Sequence, residues 1–240
     1  MTWGGPMPSD DTLFFNYQFI FEDNQEVFFE VNLHPDTLEY LPPEIQEKPE
    51  WARRDFHSCD HCHPRHAELV HCPLAVNIAD VIKAFDNIDS YALTDITVET
   101  NERTYTKQGI PTQQALSSLL GIFMVTSGCD SLDKLRPMVK FHLPFATIEE
   151  TIYRTTSMYL LAQSFRKRRG LEPDWELKDL VDIYQKISDV NINICERLKI
   201  STEKDANANA VVILDVFAEM VSISLEDELN HLEHLFVDYW

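Results

Sequence analysis

The sequence predicts an α+β protein, in which a small antiparallel β-sheet with one helix packs against a mostly helical C-terminal part. Three observations predict this class. Apolar residues alternate with a period of two near the start of the chain, they recur at helical spacing from Pro111 onward, and a cysteine-rich loop lies between the first strands and the first helix. The chain is therefore divided into a β-rich part, residues 12–108, and a helical part, residues 109–240.

The first strands are predicted to form a β-hairpin over residues 13–33. Aromatic residues occupy every second position from 15 to 21, and apolar residues occupy every second position from 27 to 33, with EDNQE between them as the turn. A second antiparallel pair is predicted from ALTDITVET and RTYTK, joined by a turn at Asn101 and Glu102. These four segments supply the sheet.

The helices are predicted from spacing and end signals. One begins after Cys72 with Pro73 in its first turn, and TQQALSSLLGIFMVTSG forms another that ends at Gly128. A capping box of Thr147 and Glu150 opens a third helix. DWELKDLVDIYQKISDVNINICERLK gives a fourth, and the last segment gives one long helix or two shorter ones. RPMVKFHLPFATIEET is predicted to be a half-buried extended link, and the alternative is a ligand-binding corner formed with the basic helix end.

Composition excludes several classes of protein. Apolar residues make up 44% of the 240 residues, which is enough for a core, and we find no apolar run long enough to predict a membrane span. The net charge of −20 argues against binding to nucleic acid or to an anionic membrane. The start, MTWGGPMPSDD, lacks a secretory signal pattern, and an odd number of cysteines, five, suits a reducing compartment. We therefore expect a cytoplasmic protein.

The positive charges are unevenly distributed. No Lys or Arg precedes Lys48 or follows Lys204, and the basic residues concentrate from Lys134 to Arg169. One interpretation is that the acidic ends keep the protein soluble and fold near this basic region. The other is that the region contacts a partner, such as an acidic ligand, a different protein or the acidic C-terminal segment of another copy.

The segment HSCDHCHPRHAELVHC, residues 57–72, holds three of the five cysteines and five of the nine histidines. Cys59 and Cys62 form a C-x-x-C pair, which in a tight turn directs both sulfurs to one point. Cys72 directly precedes Pro73, so a helix N-terminus favours its thiolate form, the form that binds metal. The pattern predicts a zinc site, with His57 as the fourth ligand and His71 as the alternative.

The predicted Zn²⁺ is structural, because four protein ligands would close the coordination sphere. A catalytic zinc would need an open position and a general base. The H-E-x-x-H pattern is absent, and HAE at residues 66–68 comes after the C-x-x-C pair, in the reverse of the deaminase order. The alternative without metal is a surface histidine cluster beside unrelated thiols.

Cys129 in TSGCD offers an enzymatic alternative. Near Lys134, Arg136 and His142, its thiol would have a lowered pKa and act as a nucleophile with His142 as its base. The competing interpretation is a small buried residue at a corner between helices, since cysteine is among the most often buried residue types.

Several segments together resemble a family of uncharacterised bacterial proteins. They are SLLGIFMVTSGC, LRPMVKFHLPFATIEETIYRTTSMYLLAQ, DANANAVVILD and the HSCDHC…HCPLAVN cluster. The resemblance covers most of the chain, implies that the cluster is a family feature, and implies a bacterial cytoplasmic origin. It carries no activity.

The function predicted from the sequence is a non-enzymatic binding or regulatory module with a structural zinc site. The sequence has no P-loop, no Rossmann glycines and no nucleophile elbow, and its six glycines are few for a protein that grips phosphates. The alternative is an enzyme that uses Cys129 with His142, or an open zinc site.

Overall fold

A computed structural model describes residues 12–43, 48–63 and 68–240. The strands are β1 Leu13–Phe21, β2 Glu26–Leu33, β3 Leu93–Thr100 and β4 Thr104–Pro111. They form a four-stranded antiparallel sheet with the order β2-β1-β3-β4, so the first hairpin and the second lie side by side. Both predicted strand pairs and the α+β class are confirmed.

The sheet is held by one apolar face. Tyr17 and Phe19 on β1 have no exposed surface, and Val98 on β3 and Val31 on β2 are equally buried. Tyr17 pairs with Phe29 on one side and with Val98 on the other. This alternation of buried and exposed positions is what a period of two produces on a sheet covered on one face.

In the described part of the chain, six α-helices follow the first hairpin, with β3 and β4 between the first and the second helix. The helices are α1 Pro73–Ala84, α2 Thr112–Val125, α3 Arg136–Lys140, α4 Ile148–Arg168, α5 Lys178–Ser201 and α6 Ala206–Leu232. Helix α2 is central because it contacts α1, β3, β4, α3 and α6, and most of its residues are buried. Helices α5 and α6 pack against each other, and α4 packs against α6.

Local signals set most helix boundaries as predicted, with two corrections. Cys72 is the N-cap of α1 with Pro73 in the first turn, and the capping box of Thr147 and Glu150 is present. Helix α2 ends at Thr126 as its C-cap rather than at Gly128. The segment RPMVK is helical rather than extended, because Pro137 lies in the first turn, where its missing N–H has no helical partner in any case.

Buried residues from both predicted parts form one continuous hydrophobic core. The predicted boundary between residues 108 and 109 falls inside β4, which runs directly into α2. The division into two parts stays a prediction.

Helix α6 and the turn after it, Ala206–Tyr239, are long and apolar enough to cross a membrane by length and composition, with a mean hydropathy of 1.7 in the most apolar window. Core helices of globular proteins meet the same criterion, and α6 packs against α2, α4 and α5. The sequence analysis expects no membrane span, and that expectation stays a prediction.

Candidate functional site

Four cysteines from three separate segments line one small cavity. Cys59 and Cys62 come from the loop before α1, Cys72 from the N-terminus of α1, and Cys129 from the turn after α2. The cavity has a volume of about 40 Å³. A space of roughly 10–15 Å³ is enough for one water molecule, so this cavity has room for a small ion.

The first three cysteines are positioned by backbone hydrogen bonds. The Cys62 N–H donates to the Cys59 carbonyl over 3.2 Å, which closes the C-x-x-C turn. The Cys72 N–H donates to the Ala52 carbonyl over 2.8 Å, while the Cys72 carbonyl accepts from Val76 in the first turn of α1. The loop therefore begins and ends at neighbouring positions, beside the buried Ala52.

Cys129 reaches the cluster because α1 and α2 pack against each other. The Asn77 side chain in the first turns of α1 donates to the Phe123 carbonyl near the end of α2, over 2.6 Å. The start of α1 therefore lies beside the end of α2. Gly128, with a φ of +80°, then turns the chain, and the Cys129 carbonyl accepts from Leu132 and Asp133.

Arg197 on α5 is a buried cation beside the cysteines. It is 2% exposed and lines the same cavity. Its guanidinium donates to three backbone carbonyls of the loop, those of Trp51, Arg53 and His57, over 2.6, 2.7 and 2.8 Å. Burial lowers the pKa of Arg197, and the neighbouring cysteines Cys72, Cys59 and Cys62 oppose that shift.

Burial also keeps the thiols of Cys59 and Cys129 protonated. It raises the pKa of Cys59 to about 12, with the neighbouring cysteines adding to the shift. It raises the pKa of Cys129 to about 11. A thiol with so high a pKa is a poor nucleophile at neutral pH, because the thiolate is the reactive form. A bound divalent metal reverses this preference, since a coordinating thiol is deprotonated.

His57 and His71 do not line the cysteine cavity. The His57 ring packs edge-on against Phe56 at 5.3 Å, and His57 is not among the residues that line the cavity. His71 forms an isolated β-bridge with Arg53. Of the described loop histidines, only His63 lines the cavity, with its Nδ1 atom 3.9 Å from an Asp130 carboxylate oxygen. His66 lies outside the described residues.

The four cysteines share a cavity without forming a finished coordination shell. Within residues 12–43, 48–63 and 68–240, no group of three or more His, Cys, Asp or Glu side chains is already arranged around a metal position. The thiols would have to draw together around an ion.

A second cavity, of about 540 Å³, lies among α2, α4, α5, α6 and the segment between α2 and α4. Most of its lining is apolar. The polar residues of the lining are Gln113, Gln114, Ser117, Ser118, His142, Thr147, Thr151, Arg154, Tyr184 and Asn191.

His142 belongs to this second cavity and not to the cysteine cluster. Its Nε2 atom lies 2.6 Å from the Tyr17 hydroxyl and 3.3 Å from the Ser118 hydroxyl. Burial, with Arg154 nearby, lowers the pKa of His142 to about 3, so the ring is neutral at physiological pH. Cys129 lines the other cavity and shares no hydrogen bond with His142. The structure does not bring together the two residues of the enzymatic alternative.

A model of a domain of unknown function, DUF6901, matches residues 15–237. The chain belongs to the DUF6901 family. The expected resemblance to a family without an assigned activity is thereby confirmed, whereas the bacterial origin and the Cys/His cluster as a family feature stay predictions. No curated protein and no solved structure matches the chain.

The basic region of this DUF6901 chain is largely engaged in bonds within the molecule. Arg136 pairs with Asp133 at 2.9 Å and donates to the Thr37 carbonyl, while Lys140 donates to the Pro35 carbonyl. Arg166 donates to the Glu172 carbonyl. The proposed contact with an acidic partner stays a prediction.

Two residues of the cysteine cavity of this DUF6901 chain were not predicted from the sequence. Cys129 was interpreted as a lone thiol, although Cys72 and Cys129 both flank helix ends. Arg197 was not predicted, although it follows Val190 and Ile194 at positions i+7 and i+3 on the buried face of α5. An arginine on an apolar helical face is a detectable signal, because such a residue is rarely buried without a partner.

Proposed function

We propose that this chain is a non-enzymatic binding module whose fold is fixed by one structural Zn²⁺ held by Cys59, Cys62, Cys72 and Cys129. The observation that carries the proposal is the convergence of four cysteines from three segments on one small cavity. Four cysteines are a common ligand set of closed, structural zinc sites.

The donor set and its surroundings fit zinc. Thiolates are soft ligands that select zinc over the hard cations, and four of them leave no open position for chemistry. A zinc ion with four thiolates carries net negative charge, and Arg197 supplies a buried positive charge on the wall of the same cavity. Its guanidinium also binds the loop backbone at three carbonyls, which would orient the ligand-bearing loop.

In this proposal Cys129 takes the place of His57 as the fourth ligand. His57 contributes its backbone carbonyl to Arg197, and its ring packs on Phe56. Cys129 lines the cavity beside the other three cysteines. The earlier assignment of His57 stays a prediction, and ligand spectroscopy distinguishes the two.

The role of the metal would be to fix the loop before α1 onto the helical part. Zinc binding would join this loop, the N-terminus of α1 and the turn after α2, and its binding free energy would add to the folding free energy. Free thiols suit such a site in a reducing compartment, so we place the protein in the cytoplasm.

The test is metal analysis of protein purified without chelator. We expect about one zinc per chain, and we expect Cys129→Ser and Cys59→Ser to lose both the zinc and part of the thermal stability. Cys195→Ser is the matched control, because Cys195 is buried on α5 outside the cavity. Wild-type protein without zinc, or a Cys129→Ser variant that keeps all its zinc, would contradict the proposal.

A further inference from the structure

We propose that the large cavity binds a small amphipathic molecule with an apolar body and a single carboxylate. This inference deepens the binding role proposed above, but it rests on residues of the second cavity and on none of the cysteines. The two proposals can therefore fail separately.

The size and the lining of the cavity suit an apolar body. Its volume of about 540 Å³ falls within the range of roughly 300–1,000 Å³ that is typical of sites for small organic ligands. Side chains from four helices and from the segment before α4 form its walls. They include Ile122, Leu132, Val139, Ile187, Leu214 and Phe217.

The charge of the wall selects an anion. The described lining contains Arg154 and neither Asp nor Glu, although the chain as a whole has a net charge of −20. Only the Nη2 atom of Arg154 is seen to donate, to the Met138 and Phe141 carbonyls over 3.1 and 2.8 Å. A guanidinium has five N–H donors in a fork that matches a carboxylate, so Arg154 retains donors for a ligand.

Among the described residues no acid bonds directly to Arg154, although Glu150 favours its charged form at longer range. None of the ion pairs among the described residues involves it. Glu150, one turn earlier on α4, is engaged with the Thr147 N–H in the capping box. Burial lowers the pKa of Arg154, which shows that its charged form is partly desolvated. A ligand carboxylate would offset that desolvation.

Asn191 adds an unused donor. This residue of α5 is 2% exposed and lines the cavity. Its Nδ2 atom is buried and has no hydrogen-bond partner among the described residues. A buried donor without a partner is rare in folded proteins and destabilises the fold. An oxygen atom of a bound ligand would satisfy it.

The remaining polar groups add no second charge. His142 is neutral, and its Nε2 atom is already engaged by Tyr17 and Ser118. Arg154 is therefore the single cation on the described wall, which matches a monoanion rather than a phosphate or a dicarboxylate.

The experiment is isothermal titration calorimetry of the full chain with three probes of equal chain length: decanoate, decanol and decyltrimethylammonium, each below its micelle concentration. We expect decanoate to bind about tenfold more tightly than decanol, because a hydrogen bond to a charged group outweighs a neutral one. We expect the cationic probe not to bind measurably. Equal affinities of decanoate and decanol for the wild type, or no binding of decanoate, would overturn the proposal.

Variants identify the side chains that bind the carboxylate of decanoate. Arg154→Met should remove the preference for decanoate over decanol, while Arg166→Met, on the same helix outside the cavity, should keep it.

Asn191→Leu should weaken decanoate binding without lowering the unfolding temperature, since the amide has no donor bond to lose. If Arg154→Met does not fold, Asn191→Leu decides: unchanged decanoate affinity in that variant would overturn the assigned binding mode. Zinc content is measured on every sample, so a failure of the metal site is recognised separately.

Discussion

The two cavities of this protein are built in different ways. The small cysteine cavity joins separate chain segments through four thiols and through one guanidinium that binds three backbone carbonyls, beside the buried side chains of Leu74, Val190 and Ile194. The large cavity is the space left among packed helices, and mainly apolar side chains bound it. The first is therefore expected to depend on individual polar residues, and the second on the packing of the helices around it.

The loop that carries three of the cysteines shows this dependence. Among the described residues from 53 to 72, only Cys59 and Cys72 pack against the hydrophobic core. Hydrophobic burial therefore contributes little to holding this loop in place. Removing one polar contact there should cost more than removing an apolar contact from the wall of the large cavity.

The largest effect is expected for Arg197→Met, which removes the guanidinium but keeps a long apolar side chain. Three loop carbonyls would lose their donor in a buried site, so we expect a loss of about 3–5 kcal/mol in the free energy of unfolding. Urea denaturation measures it. The matched control is Lys199→Met, because Lys199 lies two residues further on α5 and forms only an exposed pair with Glu196.

If Arg197→Met and Lys199→Met unfolded at the same urea concentration, that result would contradict the dependence of the cysteine cavity on individual polar residues. Weaker retention of zinc in Arg197→Met than in the control would strengthen it, since the arginine then supports both the loop and the metal site.

An intermediate effect is expected from His142 in the large cavity. The pKa of His142 is lowered to about 3 in the folded chain, whereas an unfolded chain would have the ordinary value of about 6.5. Below that value the unfolded chain takes up a proton that the folded chain does not, so stability falls as the pH falls from 6.5 toward 3. Between pH 7 and pH 5 the wild type should lose about 2 kcal/mol more than His142→Gln.

Chemical denaturation at the two pH values gives this difference, and subtracting the variant removes the contribution of the many carboxylates. Parallel losses in both proteins would show that His142 titrates normally and that the large cavity is more hydrated than its lining indicates.

The smallest effect on stability is expected in the basic region outside both cavities. Replacing Arg166, Lys167, Arg168 and Arg169 by Gln should cost less than about 1 kcal/mol, because their contacts are with the helix end, with exposed rings and with the exposed Glu172 carbonyl. If the region contacts an acidic partner or a second copy, the same change should reduce self-association at low salt. Sedimentation of both proteins across a salt series tests this, and identical behaviour at every salt would leave only the helix-end role.

Periodicity and end signals in the sequence were sufficient to predict the sheet, the capping box and the start of α1. These features depend on neighbours within a few residues or on a repeated pattern. The sequence also indicated that Cys59, Cys62 and Cys72 lie together, because a C-x-x-C turn and an N-cap cysteine are local devices.

The other parts of the site depend on tertiary packing. Cys129 joins the cluster only because the start of α1 lies beside the end of α2, through the contact of Asn77 with Phe123. The large cavity is a residual volume among helices, which no local pattern encodes. The segment RPMVKFHLPFATIEET was predicted as extended because Phe141, Leu143 and Phe145 alternate with other residues, and this outweighed the compatibility of Pro137 with a first helical turn.

The most direct test of the central claim is X-ray absorption spectroscopy at the zinc edge on protein purified without chelator. The account predicts four sulfur ligands at about 2.3 Å and no nitrogen ligand. Cys129→Ser is expected to lose the zinc and therefore the zinc-edge signal, whereas Cys195→Ser should keep the four-sulfur shell. A shell of three sulfurs and one nitrogen would contradict the assignment of Cys129 and favour a histidine such as His57, and the absence of zinc would contradict the metal site itself.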